Sequence, residues 1–354
     1  MGLHHLLTGS YTNTSLFLLA FDTAARTLSL NGTVPGFGLH QYVTSNAARD
    51  RIYATTMSEP PRIFSWAVSE DFMFTHLDTV NVNDGKYTFS AGGPGARINL
   101  IAEDGGIGEQ IDEMFYVPKQ DIEDVDKTRQ AVLYGAHAFD VNVNRKGGWD
   151  AIFMYDIGEE GKADLLSINL TPSPGDGPRN SYPTADGKLL YVINEHSQYL
   201  DVYEVGITRL EHSQRATVIP EELRGKYTYR SNTVEKSRDG KYLFTSTRGW
   251  NNTEANGWVA AHQLNKTGYL ATEEPVAFFK APLTLGSAAG LRVAFWEDET
   301  NSAPGGVTDY MYLSDTSEGC MFILGWAPQN HTLEQVAEYC YPGGDSPYEA
   351  VWLD

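Results

Sequence analysis

A short pattern recurs along this 354-residue chain and limits what it can fold into. A turn glycine and a lysine lead into an apolar strand, most clearly in Gly187-Lys188-Leu189-Leu190-Tyr191 and Gly240-Lys241-Tyr242-Leu243-Phe244. Shorter copies bring the number of equivalent positions to seven: Leu7, Tyr53, Phe89, Tyr134, Tyr191, Phe244 and Tyr312. The intervals between them run from about 36 to about 68 residues, and this range includes the roughly 40 to 50 residues typical of one four-stranded blade. The repeat predicts an all-β, seven-bladed β-propeller.

Residues 173–205 show one such unit in full. The run Pro174-Gly175-Asp176-Gly177-Pro178 breaks the chain, and three strands are expected after it, separated by turns at 185–187 and 196–198. No linker-like run separates the repeats, so a single domain over residues 1–354 is expected. The glycine-rich residues 88–106 form the thinnest unit, where we expect a reduced or distorted blade.

Charge and hydropathy narrow the class of partner. The formal net charge of −20 argues against nucleic acid and anionic membranes, since both would repel the chain. No apolar run reaches the roughly 18 residues of a membrane span. His4 and His5 have no acidic or cysteine partner at ligand spacing, so no metal and no other cofactor is predicted. Small-molecule substrates are the expected partners, and the sequence leaves the oligomeric state open.

Two small signals favour the secretory pathway or an extracellular location. Cys320 and Cys340 flank a turn, and folding their strands together would place them opposite each other in a cross-strand disulfide; two unpaired core thiols are the alternative. A signal peptide, if there was one, is expected to have been removed. Asn-x-Ser/Thr sequons, which are predicted glycosylation sites, occur at Asn13, Asn31, Asn169, Asn251, Asn265 and Asn330.

Charged residues recur at equivalent places in successive repeats. Arg179, Arg230 and Arg248 occupy such places, and Glu195 accompanies them. Guanidinium groups present paired donors to planar oxyanions, so arginines that converge on the axis of a ring would hold an anion or polarise an oxygen atom. Taken singly, each of these arginines is more often part of a surface salt bridge.

Further candidates lie on strands expected to line the channel. Residues 111–118 are predicted to form an inner strand on which Asp112 is either solvated at the channel mouth or placed for proton transfer. His137 is either a structural histidine or a substrate-binding one. The predicted substrate-binding residues are Arg230, Tyr229, Tyr134, His137 and Gln41.

Several segments together carry a resemblance to a known family. They are His4-His5-Leu6-Leu7-x-Gly9-x-Tyr11, Pro174-Gly175-Asp176-Gly177-Pro178-Arg179, Gly187-Lys188-x-Leu190-Tyr191, Tyr229-Arg230, Gly240-Lys241-Tyr242-x-Phe244-x-Ser246-x-Arg248 and Ala350-Val351-Trp352-x-Asp354. The chain resembles the fungal 3-carboxy-cis,cis-muconate lactonizing enzymes, which are seven-bladed propellers related to the bacterial 6-phosphogluconolactonase-like lactonases. The likeness is strong from about residue 170 onward.

This resemblance implies an active site of two arginines, a glutamate and a histidine. Arg179, Glu195 and Arg248 stand at three of these places, whereas the histidine is replaced: the family reads Ile-His-Gly-Met where this chain has Ile111-Asp112-Glu113-Met114. A second family histidine is also lost, with Ala288 near its place. The changed proton carrier puts literal muconate chemistry in doubt, because lactone formation must deliver a proton to carbon.

Three functions follow as expectations. The leading one is a cofactor-independent ring-forming enzyme, an intermolecular hetero-Diels–Alderase that joins a tropolone-type quinone methide to a humulene-type terpene in fungal specialised metabolism. It rests on analogy, with Arg179, Arg248, Glu195 and Asp112 as catalytic residues. The alternatives are a carboxy-cis,cis-muconate cyclase, which is a lactonizing cycloisomerase, and a secreted binding propeller without catalysis.

Overall fold

The computed structural model describes residues 2–56, 62–81, 95–115, 151–224, 228–250, 255–283, 290–297 and 306–354. Within these residues the chain forms β-strands and one short 3₁₀ turn at Glu221–Leu223. The strands are β1 (Leu3–Ser10), β2 (Ser15–Asp22), β3 (Thr27–Pro35), β4 (His40–Ser45), β5 (Arg51–Thr56), β6 (Arg62–Val68), β7 (Phe74–Asn81), β8 (Gly95–Ile101), β9 (Ile107–Phe115), β10 (Ala151–Ile157), β11 (Ala163–Leu170), β12 (Pro178–Pro183), β13 (Leu189–Asn194), β14 (Tyr199–Val205), β15 (Leu210–Thr217), β16 (Tyr229–Lys236), β17 (Tyr242–Gly249), β18 (Trp258–Gln263), β19 (Ala277–Lys280), β20 (Leu291–Val293), β21 (Asp309–Asp315), β22 (Cys320–Ala327), β23 (Thr332–Cys340) and β24 (Pro347–Trp352).

These strands form seven antiparallel sheets, which confirms the predicted propeller. The strand orders are β24-β1-β2-β3, β4-β5-β6-β7, β8-β9, β10-β11, β12-β13-β14-β15, β16-β17-β18-β19 and β20-β21-β22-β23. Five sheets are four-stranded meanders, whose first strand lies innermost. The third and fourth sheets have two described strands each. We number the blades one to seven in the order given.

The first blade closes the ring, because its innermost strand is the last strand of the chain. β24 pairs with β1, so Leu6 lies opposite Trp352. Beyond β24, Leu353 N donates to His5 O at 2.9 Å, and His5 N donates to Asp354 Oδ1 at 2.5 Å. Both ends of the described chain are thereby held in one sheet, and a closed ring has no open sheet edge between its first and last blades.

The core lies between the blades rather than at the axis. Apolar faces of neighbouring sheets pack on each other, as in the cluster of Leu7, Val43, Phe64 and Trp66 between blades one and two. Similar clusters join blades three and four, four and five, five and six, six and seven, and seven and one. Since the apolar residues are used between blades, polar side chains remain to line the channel.

The repeated signature has a physical basis. Gly187 and Gly240 have φ of +70° and +72°, a left-handed conformation that glycine adopts without steric cost. The aromatic residues that follow, Tyr191, Phe244 and Tyr312, are fully buried on the second strand of their sheets. Leu7 and Tyr53 occupy the same strand in blades one and two, as predicted, while Phe89 and Tyr134 lie outside the described residues.

The predicted cross-strand disulfide is confirmed. Cys320 of β22 lies directly opposite Cys340 of β23, and their sulfur atoms are bonded. It joins the two outer strands of blade seven. No helix among the described residues is long and apolar enough to cross a membrane.

The six sequons do not share one environment. Asn13, Asn265 and Asn330 lie in turns, Asn31 is exposed on β3, and Asn251 lies outside the described residues. Asn169 is different, because its buried side-chain nitrogen donates to Ile152 O at 2.8 Å and its oxygen accepts from Leu210 N at 2.8 Å. The structure therefore corrects the prediction at Asn169, because its side-chain amide is buried and bonded within the packed blade, which leaves no space for a sugar on its nitrogen.

Candidate functional site

Three charged residues meet at the same end of blades five and six. Arg179 is the second residue of β12, Glu195 follows the last residue of β13, and Arg248 is the last residue but one of β17. β12 and β16 begin opposite the ends of β13 and β17, because Pro178 pairs with Asn194 and Tyr229 pairs with Gly249. Innermost strands thus begin where second strands end. We call Arg179, Glu195 and Arg248 the hub cluster.

Glu195 links the two arginines. Arg248 Nη2 donates to Glu195 Oε1 at 2.7 Å, and Arg179 Nε lies 3.4 Å from Glu195 Oε2. Only 6% of the Arg179 side chain and 5% of the Arg248 side chain are exposed, against 16% of Glu195. The two guanidinium groups therefore face each other across one carboxylate. They do not do so from equivalent positions, because Arg179 lies on the first strand of its blade and Arg248 on the second strand of its own. The net charge of these three side chains is +1.

Arg179 also reaches across the axis of the ring. Its Nη1 donates to Asn232 O at 2.8 Å on β16, and its Nη2 donates to the hydroxyl of Tyr348 at 3.2 Å. Tyr348 belongs to β24 of blade one, so the bond joins blade five to blade one past blades six and seven. Such a contact requires that Arg179 point toward the centre of the ring.

A wall of phenol rings stands opposite the arginines. The ring of Tyr348 meets the rings of Tyr11 and Tyr42 edge to face, with centroids 4.7 Å and 5.3 Å apart. The hydroxyls of Tyr42 and Tyr348 lie 3.3 Å apart. Tyr11 follows β1 and Tyr42 lies on β4. These side chains and the hub cluster meet at the ring axis, in a region that we call the hub. It has a cationic side from blades five and six and a phenolic side from blades one and two.

Arg230 extends the cationic side. It lies opposite Arg248 in the β16–β17 ladder, and both guanidinium carbons lie near the ring of Trp250, at 5.6 Å and 5.3 Å from the centroid. Arg230 Nη1 donates to Tyr229 O at 3.0 Å. Because Arg230 is half-buried, it is more accessible than the other two arginines.

Burial is the largest influence on the pKa values of Arg248, Arg179 and Tyr42. It lowers the pKa of the Arg248 guanidinium; Glu195 opposes this effect, and Arg179 adds to it. Burial also acts to lower the pKa of Arg179, but Tyr348 and Glu195 raise that pKa overall. Burial, followed by the neighbouring Tyr348, raises the pKa of Tyr42 well above 10. At neutral pH the arginines are charged and Tyr42 is neutral.

The remaining residues predicted to lie in or near the site differ in where the structure places them. Gln41 is buried on the innermost strand β4, as expected, beside Tyr42. Tyr229 is corrected: its ring packs in the apolar cluster between blades five and six, with Ile193 and Val218, and does not line the channel. Tyr134, His137 and Ala288 lie outside the described residues.

The predicted inner strand over 111–118 is wrong. β9 ends at Phe115 and pairs with β8, and the turn between them accepts a hydrogen bond from Tyr53 OH at Gly105 O. Tyr191 makes the same kind of bond to Gly268 O, in the loop between the two outer strands of blade six. By this equivalence β8 and β9 are the outer strands of blade three.

Asp112 is accordingly placed at the rim. Its carboxylate accepts hydrogen bonds from Glu113 N at 2.8 Å and from Ala163 N, on β11 of blade four, at 2.7 Å. It therefore joins two outer hairpins, and this placement does not bring it to the hub arginines. Side chains alternate with the same period in inner and outer strands. The alternation around Asp112 therefore could not show whether its strand lines the channel or lies at the rim.

Sequence reasoning missed Tyr348, Tyr11 and Asn232 as hub residues. Tyr348 carries no repeat signature, because its strand completes the first blade from the far end of the chain. The position of Tyr348 at the start of β24, which matches that of Arg179 in β12, is the signal that could have found it. In the part of the chain that the structure describes, no three His, Cys, Asp or Glu side chains are grouped to hold a metal ion.

Comparison with known sequences gives a consistent set of relatives. A family model described as "Lactonase, 7-bladed beta-propeller" matches residues 5–279. Muconate cycloisomerase 1 of Cutaneotrichosporon cutaneum is 25% identical over 346 residues, which cover 91% of this chain and 90% of that protein. Carboxy-cis,cis-muconate cyclase of Neurospora crassa is 25% identical over 203 residues, which cover 55% and 51%.

Solved structures show the same fold at lower identity. The periplasmic gluconolactonase PpgL of Pseudomonas aeruginosa superposes with a TM-score of 0.76 at 19% identity and covers 100% of this chain and 99% of that one. A putative 6-phosphogluconolactonase of Bacteroides fragilis also gives a TM-score of 0.76, at 16% identity, and covers 99% and 98%. At such identities the likeness establishes the architecture alone.

Proposed function

Because the chain belongs to the lactonase family of seven-bladed β-propellers, we propose that it is a ring-forming enzyme whose hub arginines hold and polarise an oxygen atom of a small-molecule substrate. One observation carries the proposal: Arg179 and Arg248, from different blades, share Glu195 at the axis. Fixed donors in a site that excludes water stabilise developing negative charge without reorganisation, and this is a major source of catalysis.

The chemistry we favour is a cycloaddition. In a hetero-Diels–Alder reaction, a conjugated carbonyl compound and an alkene form one C–C and one C–O bond, while three π bonds are consumed and one is created. Atoms and electrons balance without a proton carrier or an oxidant. The enzyme must align two partners and withdraw charge from the carbonyl oxygen. More specifically, we propose that the two partners are a quinone methide and a humulene-type terpene. This proposal rests on analogy with related propellers that act in fungal specialised metabolism.

The contents of the hub support this choice. Its described ionisable groups are guanidinium, phenol and one carboxylate that is bonded to an arginine. Asp112, which stands where the resemblance expects an acid/base histidine, is bonded to the Ala163 backbone at the rim. Donors for an oxygen atom are present at the hub, whereas the proton carrier of that motif is displaced from it.

Lactonization of a carboxy-cis,cis-muconate is the second candidate. The similarity to muconate cycloisomerase 1 over nine-tenths of the chain favours it. In this reaction a substrate carboxylate adds to an alkene carbon, and a proton reaches the adjoining carbon. The arginines would bind the remaining carboxylates by paired hydrogen bonds. A different residue would have to deliver the proton.

One set of incubations separates the candidates. The purified protein is given 3-carboxy-cis,cis-muconate, and separately an o-quinone methide with an electron-rich alkene, and the products are followed by chiral chromatography. Rapid lactone formation would remove the cycloaddition proposal. Stereoselective cycloadduct that disappears in Arg248→Ala, but persists in the control Arg238→Ala, would support it. Binding of either substrate without conversion would indicate a binding propeller.

A further inference from the structure

A second charged cluster lies inside blade five, behind the hub. We propose that Asp176, Arg215 and Asp201, which we call the blade-five cluster, position the hub cluster for its reaction by fixing the loop before Arg179 against the turn that carries Glu195. Arg215 and its two aspartates are positioning residues, since they act through Arg179 and Glu195. This inference rests on the proposed function.

Arg215 joins both aspartates through short hydrogen bonds. Its Nη2 donates to Asp176 Oδ2 at 2.7 Å and to Asp201 Oδ2 at 2.8 Å, and its Nε donates to Asp201 Oδ1 at 2.6 Å. Asp176 lies in the loop before β12, Asp201 on β14 and Arg215 on β15. Charge-assisted bonds of this geometry are among the stronger ones in proteins. The cluster therefore ties the loop to the two outer strands of its blade.

The tied loop in turn holds the turn after β13. Asp176 O accepts from His196 N at 3.1 Å, and Gly177 O accepts from Glu195 N at 2.6 Å. The same carboxylate oxygen of Asp176 that binds Arg215 also accepts from Ser173 N at 2.9 Å. The backbone of Glu195 is thus bonded to the residue next to Asp176.

Close approach of the two segments depends on a glycine. Gly177 has φ of +66°, and a Cβ atom placed on it would lie 3.1 Å from the ring of His196. Pro178 and Arg179 follow directly. Arg179 therefore lies two residues along the chain from Gly177, which follows Asp176 directly. Glu195 is joined to Gly177 by one hydrogen bond.

Burial of its two aspartates makes displacement of the blade-five cluster costly. Asp176 and Asp201 are buried, and a buried carboxylate that loses its cation must move toward water or take up a proton. Asp201 has further support, because it accepts from Asn194 Nδ2 at 2.7 Å and lies 3.1 Å from His212 Nε2. Release of Asp176 would let the loop and the turn shift, and a displacement of about 1 Å at reacting groups can slow an enzyme roughly 100-fold.

The test compares two buried aspartates, each bonded to an arginine. Asp176→Asn removes one carboxylate charge from the blade-five cluster. Asp309→Asn removes one from the contact between blades six and seven, where Asp309 accepts a hydrogen bond from Arg238 N and lies 3.6 Å from Arg238 Nε. For the full-length wild type and both variants, one measures the unfolding midpoint, the affinity for citrate by calorimetry, and kcat and KM with the substrate that the wild type converts. Arg215→Lys serves as a second blade-five variant should Asp176→Asn not fold.

Both variants are expected to lower the unfolding midpoint, but only Asp176→Asn should act on the hub. We expect it to weaken citrate binding and to lower kcat at least tenfold at a temperature where it is fully folded, and Asp176→Glu to restore part of the loss. Wild-type affinity and kcat in Asp176→Asn, or an equal loss in Asp309→Asn, would overturn this inference alone. A wild type that neither binds citrate nor forms a ring would overturn the proposed function and this inference with it.

Discussion

Two arginine–carboxylate clusters lie within one blade of each other and have opposite compositions. The hub cluster has two arginines and one glutamate, and its side chains carry a net charge of +1. The blade-five cluster has one arginine and two aspartates, with a net charge of −1. The first faces the channel, where Glu195 is 16% exposed; in the second both aspartates are buried, and Arg215 is partly exposed.

The difference teaches which cluster is built to receive a ligand. Charges that serve only the fold are matched as closely as possible, because an unmatched buried charge is costly. In the blade-five cluster, the negative charge in excess is spread over backbone N–H and amide donors, at Ser173 N and Asn194 Nδ2. An excess of positive charge at the hub, with Arg230 adding to it, fits an incoming oxyanion instead.

The largest expected effect is the difference in the free energy of unfolding between an arginine variant of the blade-five cluster and one of the hub cluster. Arg215→Ala leaves two buried aspartates without their cation, so the free energy of unfolding should fall by about 3–5 kcal/mol. Arg248→Ala should cost only about 1 kcal/mol, because Glu195 keeps its ion pair with Arg179, yet turnover should fall about 100-fold or more. Denaturant titration and steady-state kinetics provide the two measurements. Equal losses of stability in both variants would contradict the comparison.

Removal of the hub carboxylate should have an intermediate effect. In Glu195→Gln two buried guanidinium groups face each other without an anion, and we expect unfolding to become easier by about 2 kcal/mol. Citrate should restore this stability, because an anion that binds the folded state alone stabilises it. Thermal unfolding with and without citrate measures the effect. The matched variant Asp201→Asn, in the blade-five cluster, should gain no more stability from citrate than the wild type does.

The phenolic side of the hub should respond more weakly. Tyr348→Phe removes the hydroxyl that accepts from Arg179 and contacts Tyr42. The donor is a charged guanidinium but the bond is long, at 3.2 Å, so its loss is worth about 1.5 kcal/mol. We expect KM to rise a few-fold and the free energy of unfolding to fall by no more than this amount. Tyr312→Phe is the matched control, since its hydroxyl bonds Glu349 and Ala350 instead. A loss of turnover as large as that of Arg248→Ala would assign a chemical role to Tyr348.

The smallest expected effect is that of pH on turnover. Burial holds the pKa of Tyr42 well above 10, so its neutral form persists until the pH rises past that range, and the arginines stay protonated. A cycloaddition at this hub should therefore show kcat constant within about twofold between pH 6 and 9. Initial rates across this range provide the check. A bell-shaped profile would point to proton transfer, as lactonization requires.

Much of this arrangement could be predicted from the sequence, because the repeat carries it. A glycine with positive φ precedes a buried aromatic residue in blades five and six, at Gly187 before Tyr191 and at Gly240 before Phe244. The strand ends of the same two blades carry Arg179, Glu195 and Arg248. Tyr348 was missed because its strand completes blade one from the far end of the chain and carries no repeat signature, although its place at the start of β24 matches that of Arg179 in β12.

The errors have a common physical origin. Asp112 was expected at the channel because alternation marks a strand but does not say whether the strand is inner or outer. Asn169 fits a sequon, yet its amide is bonded on both sides in the packed blade. Local patterns determine the blade, whereas exposure and distance from the axis depend on how the blades pack.

A crystal structure of the protein with a bound tricarboxylate tests the central claim most directly. The account predicts an anion oxygen at about 3 Å from guanidinium nitrogens of the hub, contributed by Arg248 together with Arg179 or Arg230, and no anion at Arg215. A tricarboxylate that binds elsewhere, with the hub closed as it is in the free protein, would contradict it.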